Sequence, residues 1–262
     1  MDLRAHRLEA LVLRAIPYGE SDAVVHLLVL GRGRIPAFAR GARSSRRRFG
    51  GALEPFTRVE ALMSEGAELW SLREARVIEA HARLREDLHR IAHAGYAAEL
   101  AHDLTRAGEP ADALFALLDE FLTRLENGAA TSARLRALEL GALAASGLLP
   151  ELAACARCGG EVLPGRAAFD PDAGGTTCAN CTIPGAMVLS TGARAALWQL
   201  RGGGLAAADA PVSADGSGRP ADARAFEEAA AQAAKPLSAF LRHHLGRALA
   251  SADFIQQVGA PQ

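Results

Sequence analysis

An α+β chain is predicted, with β-structure first and helices after, and three observations predict it. Five short runs rich in branched and apolar residues occupy the first eighty positions. From about Arg76 the apolar residues recur at helical spacing instead. Inside the helical part, four cysteines arrive as two C-x2-C pairs nineteen residues apart. The implied organisation is a β-domain over 1–80, a helical domain over 81–150 that resumes at 187–262, and a four-cysteine insert over 151–186.

The strands come first. Leu8 to Ala15 is an extended apolar run closed by the turn Pro17-Tyr18-Gly19, and Ala23 to Leu30 follows and stops at Gly31. Gly33 to Ala39 returns after a very short connection, as a hairpin would. Glu20, Ser21 and Asp22 look like a polar site, but organising the turn is the simpler role. Leu53 to Met63 and Glu68 to Leu72 read as a second hairpin around Glu65-Gly66. Five short strands with a long basic connection between the third and fourth suit a small barrel of the OB type, a common holder of single-stranded nucleic acid. Periodicity alone does not choose that barrel over a small open sheet.

The basic connection is the most unusual stretch. Gly31 to Gly51 carries Arg32, Arg34, Arg40, Arg43, Arg46, Arg47 and Arg48 and no acid. Such guanidinium density repels itself unless phosphate relieves it. Its glycines and serines suggest backbone that approaches a ligand. The plainer reading is a solvated loop. Phe49 has two readings as well, stacking on a base or packing under the loop, and spacing does not decide.

The helices follow. One is expected from about Leu84 to Ala107, ended by Gly108-Glu109-Pro110, and a second from Ala111 to Glu126, stopped by Asn127-Gly128. A third runs from Ser132 to Ser146. After the insert, Ser190-Thr191 caps a helix through about Leu200, and Gly202 to Pro220 reads as a mobile linker. Ala221 to Arg247 is helical with a break or new start at Pro236, and a short helix around Phe254-Ile255 ends the bundle. His89 and His93 share a helix face, but no third metal ligand is obvious beside them. His243 and His244 point to different faces.

Cys155, Cys158, Cys178 and Cys181 form the strongest motif. Two short knuckles bring four thiolates to the corners of a tetrahedron, which suits one structural zinc with no site left for water. Two disulfides, a redox pair or an iron–sulfur cluster are the alternatives. A reducing compartment and the lack of a βαβ context weigh against them. So small an insert has little core, so metal binding energy would be its folding energy.

Composition bounds the function class. The formal charge is only −1, but residues 1–51 carry +6 and the remainder −7, which points the N-terminal part at nucleic acid or an acidic surface. No run of eighteen apolar residues exists and the N-terminus lacks a signal-peptide core, so the cytoplasm is expected and no membrane partner is. There is no GxxxxGK[ST], HExxH or GxSxG, and an enzyme is not expected.

At this point the residues carry a resemblance. Pro17-Tyr18-Gly19-Glu20-Ser21-Asp22, Gly33-Arg34, Ala39-Arg40-Gly41-Ala42-Arg43 and Gly51-Ala52-Leu53-Glu54-Pro55-Phe56 resemble the N-terminal OB module of the bacterial recombination mediator family RecO. LRALELGALAASGLLPELAACARCGG, the second knuckle and FLRHHLGRALASADF resemble the same family in the same order. The resemblance implies a non-enzymatic DNA repair protein with an OB domain, a helical domain and a zinc-finger insert. It also implies binding to single- and double-stranded DNA, annealing of strands coated with single-stranded DNA-binding protein, and loading of RecA together with RecR, at the nucleoid. In the family the acidic tail of the single-stranded DNA-binding protein docks on the helical domain, and Arg134 and Arg136 are the cations expected to meet it. Their plainer reading is solvated helix surface. From another function class, the alternative is a zinc-ribbon scaffold whose arginine loop binds an acidic protein.

Overall fold

The computed structural model describes residues 5–66, 68–212 and 222–259. The chain divides into two compact units, at residues 129 and 130.

In the first unit, β1 (Ala5–Tyr18), β2 (Asp22–Val29), β3 (Gly33–Ala39), β4 (Arg58–Ser64) and β5 (Trp70–Glu79) close into a barrel in the order β1-β2-β3-β5-β4. Closure, left open by the sequence, depends on the length of β1. Its N-terminal half pairs with β4 and its C-terminal half with β2, and the register shifts between Val12 and Arg14 where it changes partner. A bulge there bends the strand enough to serve two neighbours. β3 and β5 complete the ring with a short parallel pairing. Alternation fills the inside: Val25, Leu27, Ile35, Ala37, Val59, Ala61, Met63 and Leu72 are all buried in one core.

Several element boundaries differ from expectation: β1 is longer at both ends, β4 starts at Arg58 and not Leu53, and the change from strand to helix comes later. β5 runs on to Glu79, past the expected change to helix at Arg76, because Arg76, Val77 and Glu79 still pair with β4. His81 then takes a left-handed backbone (φ 44°) and is fully buried against Glu126, Nδ1 to Oε2 3.1 Å. A 3-10 turn (Ala82–Glu86) follows, and α2 (Leu88–Leu104) starts under an Asp87 cap that accepts from the Arg90 N–H. Helix α3 (Asp112–Glu126) lies as predicted. Both helices belong to the barrel's packed unit. Arg58 bonds Glu9 and Asp119, and Arg85 donates to the carbonyls of Ala80 and Pro55 and to Thr57 Oγ1.

The second unit is built on α4 (Ser132–Ala145), α5 (Thr191–Asp209), α6 (Ala223–Gln232), α7 (Ala234–Leu245) and α8 (Ala250–Val258). Between α4 and α5 lies a small sheet of β6 (Ala167–Asp170), β7 (Gly175–Thr177) and β8 (Met187–Leu189), ordered β7-β6-β8. Ser190 caps α5 through its hydroxyl, as expected, and Pro236 sits in the first turn of α7, where no N–H is needed. The expected linker 202–220 is corrected in its first part. Residues 202–209 continue α5 through a kink at Gly204 (φ 55°, ψ −143°). Leu205 is buried beyond that kink, and its burial outweighs the poor helix propensity of three consecutive glycines. Residues 213–220 of that segment lie outside the described residues. Among the described residues no helix is long and apolar enough to cross a membrane.

Candidate nucleic-acid interface and metal centre

The arginine stretch leaves β3 at Ala39 and returns through a single helical turn, α1 (Arg46–Phe49), to β4. Its base is fixed by backbone bonds. The Gly41 N–H donates to Asp22 Oδ1 at 2.7 Å, and the Arg43 N–H to the Ser21 carbonyl at 2.9 Å. Phe49 is 2% exposed and sits in the barrel core beside Ala52. Packing under the loop is therefore its role, because the barrel mouth gives the ring an apolar site that base stacking in solvent does not match.

The seven arginines separate into two groups. Arg40, Arg43, Arg46 and Arg47 are exposed, and none has an ion-pair partner among the described residues. Arg43 and Arg46 also line a pocket of about 350 Å³ over Phe49. The other three are engaged. Arg48 donates from Nε to Ser45 Oγ (3.0 Å) and from its guanidinium to the Arg40 carbonyl (2.7 Å). Arg34 donates from Nε to the Thr105 carbonyl and lies 3.1 Å from His102 Nε2. Arg32 pairs with Glu65 at 3.2 Å over the face of Trp70. Strong positive potential on a loop whose backbone is pinned suits a polyanion.

In the second unit the four cysteines converge. Their sulfurs lie within 4.8 Å of one another, none is in a disulfide, and Cys158 and Cys178 are 3.9 Å apart. A tetrahedral zinc–thiolate site with bonds of about 2.3 Å places its sulfurs about 3.8 Å apart, so the donor set and its spacing fit that ion. Each knuckle is a tight turn. The Gly159 N–H donates to the Cys155 carbonyl, and the Cys181 and Thr182 N–H groups donate to the Cys178 carbonyl. Gly159 takes φ 70°, which a glycine adopts without strain. Backbone N–H groups, that of Cys178 foremost and then those of Cys158 and Arg157, lower the Cys155 thiol to about 6 against the opposition of burial. Cys181 is pushed up to about 12, first by its bonds with Cys158 and Cys178. Four thiolates this close repel one another, and a divalent cation among them would relieve that repulsion. Beside the knuckles Arg157 pairs with Asp170 at 2.6 Å. Burial opposes ionisation of that carboxyl, and Arg157 with the Asp172 and Ala173 N–H groups outweighs it, holding Asp170 below the usual range. At Gly175 a Cβ would lie 2.2 Å from the Glu151 carbonyl oxygen, so only glycine lets the insert close there.

Residues 1–81 match the family model described as Recombination protein O N terminal, and residues 85–253 match Recombination protein O C terminal. The chain belongs to the RecO family. It is 49% identical over 257 residues to the DNA repair protein RecO of Anaeromyxobacter sp. (strain K), covering 97% of this chain and 96% of that protein. It is 42% identical over 260 residues to RecO of Myxococcus xanthus (96% and 97% covered). RecO of Pelobacter propionicus is 37% identical over 257 residues (98% of each). Membership carries a role in DNA repair and recombination.

The cations expected to meet a partner tail in this RecO chain are not presented as expected. Arg136 is 5% exposed and buried beside Glu139 at 3.0 Å, and Arg134 bonds Asp209 at 2.6 Å. Arg136 falls on the inward stripe of α4, where Leu135, Leu138 and Leu140 are also buried, and its charge pattern alone did not reveal this. Two features were missed in the sequence. Asp22 anchors the arginine loop, a role visible only once β2 and β3 are in register. A cluster of Arg14, His26, Arg34 and His102 forms where three strands meet the end of α2, from residues up to 88 positions apart in sequence.

Proposed function

We propose that this chain is a non-enzymatic DNA-binding mediator of recombinational repair. It holds single- and double-stranded DNA by its phosphates through Arg40, Arg43, Arg46 and Arg47. It anneals complementary strands coated with single-stranded DNA-binding protein and, with RecR, helps load RecA. The observation that carries the reading is the group of four exposed guanidinium groups, without ion-pair partners among the described residues, on a pinned loop of a closed barrel in a chain of the RecO family. Guanidinium to phosphate gives affinity without base code, which is what a protein acting on any repair substrate requires. One structural zinc, held by Cys155, Cys158, Cys178 and Cys181, keeps the insert folded.

Docking of the acidic tail is better supported away from Arg136. A pocket of about 640 Å³ in the second unit is lined by Leu152, Val162, Pro164 and Trp198, and Arg201 lies over the Trp198 ring at 5.6 Å. An apolar chain end and its carboxylate need that pairing of pocket and cation. Trp198→Ala is expected to lower affinity for a tail peptide, and unchanged affinity would contradict this placement. The whole reading is tested by mixing complementary oligonucleotides coated with single-stranded DNA-binding protein, with no nucleotide present. Duplex forms faster with the full chain than without it; equal rates would contradict the reading.

A further inference from the structure

At the joint between the end of β5 and the end of α3, the fold brings three ligand-bearing side chains to one spot. Glu79 closes β5, His81 follows it, and Glu126 is the last residue of α3. One ligand atom from each lies within 4.8 Å of the others. His81 is 1% exposed, and its Nδ1 faces Glu126 Oε2 at 3.1 Å. Its Nε2 is buried with no hydrogen-bond partner among the described residues. The ring's polar bonding is therefore directed from Nδ1 toward the carboxylates. Burying an imidazole with one nitrogen unpaired is costly, so the bond at Nδ1 has to be a strong one. Glu126 is fixed on its other side, where Oε1 accepts from the Arg83 N–H at 3.1 Å. The Arg83 guanidinium donates to Asn127 Oδ1 at 2.6 Å and stays 3.8 Å from Glu126, so it neutralises that carboxylate only in part. Glu79 is exposed and has no ion-pair partner among the described residues.

We propose that Glu79, His81 and Glu126 form a second metal site, which holds one divalent first-row cation where β5 meets α3. Bonds of about 2.1 Å place neighbouring ligand atoms about 3 to 3.5 Å apart. His81 and Glu126 already meet that spacing, and Glu79, on an exposed side chain, reaches in to complete the set. A cation relieves the repulsion between the two carboxylates and gives the buried ring a stronger bond than Glu126 alone provides. The Arg83 N–H, behind Glu126, holds that carboxylate in its ligating orientation. One imidazole with two carboxylates suits a borderline or hard ion such as Mn²⁺, which four thiolates do not favour. The site is thus distinct from the four cysteines in place and in chemistry, and it does not depend on the DNA-binding reading.

The test uses the full chain purified with zinc supplied, and Mn²⁺ as the probe. Mn²⁺ stands lowest in affinity among the first-row divalent ions and does not displace zinc from thiolates. Titration followed by the electron paramagnetic resonance of free Mn²⁺ is expected to show one ion bound per chain. Spin-echo modulation is expected to show a nitrogen bonded directly to it, which a site of carboxylates or thiolates alone does not give. Glu79→Gln, at an exposed position, is expected to leave the circular dichroism unchanged and to weaken Mn²⁺ binding by about ten-fold or more, since even residues behind the ligands carry that much. Mn²⁺ is also expected to raise the thermal midpoint of the parent more than that of Glu79→Gln. No bound Mn²⁺ in the parent, bound Mn²⁺ without nitrogen modulation, or equal affinity in Glu79→Gln would overturn the site.

Discussion

Arg48 differs from Arg46 and Arg47 in what its guanidinium does. It bonds Ser45 and the Arg40 carbonyl, lies over the Phe49 ring at 5.1 Å, and so closes the loop on itself. Run length in the sequence could not separate the three, since only the helical turn decides which one faces inward. Arg48→Ala is therefore expected to lower unfolding free energy by about 1 kcal/mol, where Arg46→Ala/Arg47→Ala leaves it unchanged. Chemical denaturation of both variants checks this. His26 gives a second prediction at this scale. Its folded-state pKa falls to about 4 through burial first, then through the charges of Arg14, His102 and Arg34. His102 is also lowered, chiefly by burial, although Asp103 works in the other direction. With the folded pKa below the unfolded value near 6.5, the unfolded chain binds the proton first. The stability His26 contributes is then complete above about 6.5 and lost as pH falls toward 4. Between pH 7 and 5 the thermal midpoint of the parent should drop further than that of His26→Gln, and parallel drops would contradict this assignment.

At the scale of elements, the barrel mouth and the insert are each held by one device. Phe49 is the apolar plug under the arginine loop, so the loop and the core are one construction. Phe49→Ala is expected to cost about 3 kcal/mol and to loosen the loop, as seen by denaturation and by proteolysis near Arg46. Full stability in that variant would mean the ring is a passenger. Among the described residues the insert has a small apolar cluster, Cys155, Val162 and Ala167, with Cys178 and Cys181 packed on it. One zinc per chain is therefore expected by elemental analysis, and chelation should unfold β6–β8 while the barrel keeps its structure. Disulfides at these cysteines would contradict that. The knuckles were legible because ligand spacing is local. The five strands were legible from alternation and turn residues, and α3 and α4 from their stops. Residues 202–209 were not, because composition marks a glycine triplet as a linker and only the tertiary burial of Leu205 makes it helix. Arg136 was not legible for the same kind of reason: its pairing with Glu139 inside α4 is a property of which way the helix is turned.

For the whole molecule, packing and sequence family divide the chain differently. The family models part at residues 81 and 85, whereas the packed units part at 129 and 130. The joint made by His81 with Glu126, and by Arg58 with Asp119, ties α3 to the barrel within that unit, and both contacts span too much sequence to be read from it. The charge asymmetry was legible at once, and its basic part, residues 1–51, lies in the first unit, with the cysteine site in the other. Phosphate binding by the exposed arginines is the claim on which the functional account rests. It is tested most directly by the slope of log affinity against log salt for a single strand, measured for the full chain and for Arg46→Ala/Arg47→Ala. Loss of two phosphate contacts flattens that slope by about 1.4, with zinc content and thermal stability unchanged. An identical slope in parent and variant would contradict the account and place the DNA, if bound, elsewhere on the molecule.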